Sequence, residues 1–203
     1  MTIDLDEAKI ERNEFGLWLG WTLATAGGML VGFLLTLPLV NFLDLGFARI
    51  IVPLLAGVLI GFSQWIVLRY YLTTSSDWIL AGGAAWAAGY ALGLLLIQNL
   101  SNTILGGFGA YLLFGAIVAL IQWQMLRREV PSLLGWILIN MLGWAAGLWA
   151  SQLVLSLFFR QPVIAPAVST TVIAGTSGLV AGAITGIALI WIARKPEKVV
   201  GVK

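Results

Sequence analysis

Two short stretches carry the side chains best equipped for recognition. In GVLIGFSQWIVLR, residues 57–69, and GAIVALIQWQMLR, residues 115–127, a Gln-Trp pair is followed by an arginine: Gln64-Trp65 with Arg69, and Gln122-Trp123 with Arg127. A carboxamide donates and accepts hydrogen bonds, an indole N–H donates, and a guanidinium holds carboxylate or phosphate. Such a set can bind a neutral or amphipathic molecule, or it can fasten one helix to another. Neither an amide nor an indole is a general base, so the set alone performs no proton transfer.

Partners for catalysis are scarce elsewhere. The chain has no His and no Cys, which removes disulfides, thiolate nucleophiles, the usual zinc and copper ligands and His-ligated haem. Gly175-Thr176-Ser177-Gly178 matches the GxSG stretch of rhomboid proteases, where the serine works with a histidine base. With no histidine to activate Ser177, the stretch reads instead as a packing face on Gly178, Gly182 and Gly186 with a serine beside it. Asp44, Asp77 and Glu129 fall in turns, so no acidic proton relay is expected inside a span. Arg69 and Arg127 could hold lipid phosphates, but nothing supplies a base or a metal. The expectation is therefore a protein that is not an enzyme and has no metal site, with the cofactor left open.

The elements that position these residues follow from composition. Of 203 residues, 60% are apolar and 10% charged, and the mean hydropathy is +0.98. A soluble domain carries about 25% charge, so the solvent here is expected to be lipid. Segments almost free of charge run over residues 17–40, 48–68, 78–98, 103–126, 133–159 and 168–193. Each is long enough to cross ~30 Å at ~1.5 Å per residue, and none alternates with period two. The fold class is all-α, a polytopic membrane protein with six transmembrane helices. One domain, residues 17–194, is flanked by a short acidic leader, 1–16, and a basic tail, 195–203. Asp77 and Ser132 are expected to cap the third and fifth spans.

With six spans the termini share a side. That side holds Lys9, Arg12, Arg69, Arg127, Arg128, Arg194, Lys195, Lys198 and Lys203, while Arg49 and Arg160 lie opposite. The positive-inside rule puts both termini in the cytoplasm, and the net charge of +2 records orientation rather than nucleic-acid binding. The first span lacks a basic n-region and a convincing cleavage site, and so reads as retained.

At 100° per residue Gly57, Gly61, Gln64 and Leu68 make one stripe, and Gly115, Ala119, Gln122 and Leu126 make its copy. Small residues at this spacing admit a second helix closely. Trp65, Arg69, Trp123 and Arg127 lie on the flank as interface anchors, as does Arg194 in a third copy. That copy keeps Gly182 and Gly186, has Leu189 in place of the Gln, and carries Trp191 out of register. In the odd spans, aligning Trp21, Trp86 and Trp144 places small residues three and seven positions further on. The chain thus reads as three parallel-repeat helical hairpins around an axis along the membrane normal.

Gln64, Gln122 and Asn140 are expected at one level, some 6 to 8 Å inside the cytoplasmic surface, with Trp86 and Trp144 a little deeper. Converging, these five would line a ligand pocket; otherwise the glutamines tie neighbouring helices together. Gln152, Ser151 and Thr185 lie deeper still.

GFSQWIVLR with WILAGGAAWAAG, and ALIQWQMLR with WILINMLGWAAG, resemble a group of uncharacterised multi-pass membrane proteins of cyanobacteria and related bacteria that carry tandem GxxxGxxQWxxLR units. The resemblance covers about two thirds of the chain and implies a thylakoid or plasma membrane. The leading functional expectation is a non-enzymatic integral membrane subunit or assembly factor packing against partner helices, lipids or pigments, or against copies of itself. The alternative is a small-molecule binding or transport module with its pocket in the cytoplasmic half.

Overall fold

The computed structural model describes residues 13–72, 75–100, 104–127, 132–159 and 165–193. They form six long helices: α1 (Glu14–Thr36), α2 (Leu45–Tyr71), α3 (Asp77–Leu100), α4 (Ile104–Leu126), α5 (Leu133–Phe158) and α6 (Pro166–Ala193). All six are long and apolar enough to cross a membrane, and among the described residues there is no strand. Arg194 and the other basic residues of the tail lie outside the described residues, as do Lys9, Arg12, Arg128, Glu129 and Arg160.

Local chemistry sets the helix ends. The Asn13 side chain accepts from the Gly16 amide at 2.8 Å, so α1 starts inside the expected leader. Pro38 cannot donate to the turn before it, and α1 tightens after Thr36 into a 3-10 turn, Leu37–Asn41. Asp44 caps α2 through the Gly46 amide, and Ser132 caps α5 through the Gly135 amide. The expected cap at Asp77 needs correction. Ser75 Oγ accepts from the Asp77 amide at 3.2 Å and donates to the Asp77 carboxylate at 2.9 Å, which makes Asp77 the first helical residue.

Each helix packs on its neighbours in sequence, and α1 also packs on α6, closing a ring. Two buried clusters fill the axis, and both draw on all six helices. The first joins Leu17, Trp21, Trp78 and Trp136 from the starts of the odd helices to Leu68, Leu126 and Leu189 from the ends of the even ones. The helices therefore alternate in direction, an arrangement compatible with three like-oriented hairpins. The second cluster holds Met29, Trp86 and Trp144, each eight residues further along its helix, with Ile60, Phe114, Val118 and Ala181. These clusters overturn the alignment of Trp21 with Trp86 and Trp144. Trp21 is level with Trp78 and Trp136, and Met29 stands where the other odd helices carry their second tryptophan.

The outward surface is apolar, with Leu23, Leu80, Trp149 and Ile187 more than half exposed. Lipid tails are as apolar as these side chains, so burial of apolar area does not drive helix against helix. Close packing and hydrogen bonds remain as the cohesive terms. Close glycine approaches run along the helices past both clusters, and the hydrogen bonds between helices gather around the first.

Candidate functional site

Glycines let the backbones meet. A Cβ built on Gly57 would lie 2.6 Å from the Gly82 carbonyl oxygen, and one on Gly61 3.0 Å from that of Ile79. Gly115 is as tight, with its Cβ 2.7 Å from the Asn140 carbonyl oxygen. Gly182 meets the Thr22 Cα at 3.0 Å and Gly186 the Trp18 ring at 3.0 Å. Contacts under about 3 Å leave no room for a side chain without backbone movement. Where α2 has Gly61, α4 has Ala119, which is fully buried. Among the described residues, α4 and α5 are the least extensively packed pair of neighbours.

Two of the three tryptophans of the first cluster have hydrogen-bond partners, and the third has none. Trp78 Nε1 donates to Gln64 Oε1 at 3.3 Å, and Gln64 Nε2 donates to Thr25 Oγ1 at 3.1 Å. Thr25 Oγ1 in turn donates to the Trp21 carbonyl. One glutamine of α2 thus binds α1 and α3 together, with both ends of its amide engaged. Trp21 Nε1 donates to Thr185 Oγ1 at 2.9 Å, and Thr185 donates to the Ala181 carbonyl. Thr185 lies one helical turn before Leu189, so a hydroxyl from the previous turn serves where the third copy lacks the amide. Trp18 Nε1 adds a bond to the Ala183 carbonyl at 2.9 Å.

The third case differs. Trp136 Nε1 and Gln122 Oε1 are both buried without a hydrogen-bond partner. Their separation along the chain matches that of Trp78 and Gln64, and the two residues are only 2% and 4% exposed. Asn140 is buried too, with Nδ2 donating to the Trp136 carbonyl of its own helix.

The proposed five-residue lining does not assemble as such. Gln64, Gln122 and Asn140 belong to the level of the first cluster, but Trp86 and Trp144 meet edge to face at 5.2 Å and both pack against Phe114. At that depth the indoles fill the axis instead of lining a space. Of the deeper polar residues, Ser151 donates to the Leu148 carbonyl, and Gln152 is exposed. Ser177 is buried and bonded to the Ile173 carbonyl of its own helix.

The flanking residues are also distinct from a simple belt. Trp65 and Trp123 are half-buried against the first cluster, and their indole N–H groups are buried without partners. Arg69 lies over the Trp65 ring at 5.1 Å and the Tyr70 ring at 4.9 Å, and donates to the Tyr70 hydroxyl at 2.9 Å. Arg127 is exposed. Its following residue is Arg128, so the Tyr70 half of that stack has no sequence counterpart.

Sequence reasoning missed Thr25, Trp78 and Trp136. A signal existed for the two tryptophans, because each follows a Gln of the repeated stretch by the same interval. Thr25 had none, since its bond joins residues 39 apart. Among the described residues no group of His, Cys, Asp and Glu could hold a metal ion. Comparisons with protein-family models, curated proteins and solved structures found no match to this chain.

Proposed function

We propose that this protein is a non-enzymatic integral membrane subunit or accessory factor. Its polar side chains act chiefly as interhelical fasteners, and its outward faces contact lipids, partner helices, pigments or further copies of the chain. The observation that carries this reading is the Gln64 bridge, whose amide spends its donor on Thr25 and its acceptor on Trp78. Interior tryptophans packed on one another at the next level support it too. The bias of basic residues favours termini in the cytoplasm, and kinship with the tandem-repeat membrane proteins of cyanobacteria rests on the quoted motifs.

Native-gel and native-mass analysis of mildly solubilised membranes tests the proposal. The expected result is a stable complex with other membrane chains or with copies of this one. A monodisperse monomer carrying a small molecule would overturn it and favour the second reading, a small-molecule binding or transport module. That reading is favoured by one observation, the partnerless Gln122 and Trp136.

A further inference from the structure

The Gln-Trp stretches of α2 and α4 differ in one respect that their own residues do not explain. Gln64 reaches back to Thr25, four residues after Trp21, and forward to Trp78. Where α1 has Thr25 four residues after Trp21, α3 has Gly82 four residues after Trp78, and Trp136 follows Gln122 by the interval that separates Trp78 from Gln64. Gly82 offers no hydroxyl. The methyl of Ala119 occupies the position at which Gly61 allows the α3 backbone within 3.0 Å of where a Cβ would stand, and α4 and α5 are the less extensively packed pair. Trp136 Nε1 and Gln122 Oε1 are left as a buried donor and a buried acceptor on facing helices.

Leaving both groups unpaired costs about 1–3 kcal/mol each, far more than seating a small polar guest between them. We propose that the α4–α5 seam holds a hydroxyl group, from a water molecule or from the head of a hydroxylated lipid, between the Trp136 indole N–H and the Gln122 side-chain carbonyl. The chemistry of the two atoms selects it. The guest must accept from the indole and donate to the amide oxygen, and a hydroxyl does both through one atom. A carbonyl cannot donate, and an ammonium cannot accept. An ion is disfavoured at a buried site whose two free polar atoms are both neutral. The orphaned N–H groups of Trp65 and Trp123 are a separate matter, because both copies share them. The inference is independent of whether the protein serves as a subunit.

The full chain, labelled with 15N-tryptophan in a hydroxyl-free detergent, provides the test, with Trp136→Phe and Trp78→Phe assigning the two indole signals. If the guest is water, the Trp136 indole proton shows a water cross-peak and exchanges in D2O about tenfold faster than that of Trp78. If it is a lipid hydroxyl, native mass spectra show a lipid adduct. In either case Gln122→Leu abolishes the sign. Ala119→Gly, which lets the helices close and the two groups bond directly, abolishes it as well, and serves if Gln122→Leu does not fold. Absence of both signs from the wild-type protein, or persistence of either in a folded variant, overturns the proposal.

Discussion

The α2–α3 seam and the α4–α5 seam are built from nearly the same residues, yet only the first closes its hydrogen bonds. Gln64 and Gln122 sit at equal offsets from Trp78 and Trp136, and all four side chains are buried. What separates the seams lies elsewhere: a threonine on α1 against a glycine on α3, and a glycine on α2 against an alanine on α4. A repeated motif therefore fixes where a polar group stands but not what it meets. The meeting depends on the third helix, which the motif does not contain.

Forcing the tight seam open is the severest way to break this contrast. Gly57→Leu drives a side chain into the Gly82 backbone, and thermal unfolding in detergent should show a loss of about 3 kcal/mol or more. Gly27→Leu is the matched control, since nothing lies within 4 Å of a Cβ there; equal melting of the two variants would remove the seam from the account.

Gln64→Leu comes next. It leaves the Trp78 N–H unpaired and frees Thr25, at an expected cost of about 1 kcal/mol, whereas Gln122→Leu should cost roughly half as much because no direct protein bond is lost. Chemical denaturation of both variants under one set of conditions measures the difference, and equal losses would show the seams to be alike.

Thr25→Val then makes the α1 side resemble Gly82 by removing the hydroxyl without its volume. A loss of about 0.5 kcal/mol is expected, with the Trp78 indole signal nearly unmoved, as read by 15N spectra of the variant. The smallest effect concerns the flanks. Arg69→Ala gives up stacking on Trp65 and Tyr70 for ~0.5 kcal/mol, and Arg127→Ala should be neutral; Trp fluorescence melting curves distinguish the two.

The six spans were legible because run length and charge depletion are properties of the chain itself. The level of each tryptophan was not. Small residues three to four apart recur along every odd helix, so Trp21 aligns with Trp86 about as well as with Trp78, and only the packing of Trp21 against Trp78 at 6.1 Å resolves the choice. Asp77 was misread as a cap for a related reason, since Ser75 and Asp77 both suit a helix start and their mutual bond decides between them. The Gln64 bridge was half legible: its helix face follows from periodicity, but its partner Thr25 lies on another helix.

Closure of the ring by α1 against α6 bears on the order in which the protein is made. The Trp18 indole waits for a carbonyl 165 residues later, and Trp21 for a hydroxyl 164 residues later. At about 5–20 residues per second, that interval is roughly 10 to 30 seconds of translation. During it α1 stands in the bilayer beside α2 with two indole donors turned toward a neighbour not yet synthesised. A factor that shields the growing bundle would find its binding face there, and would be displaced when α6 arrives.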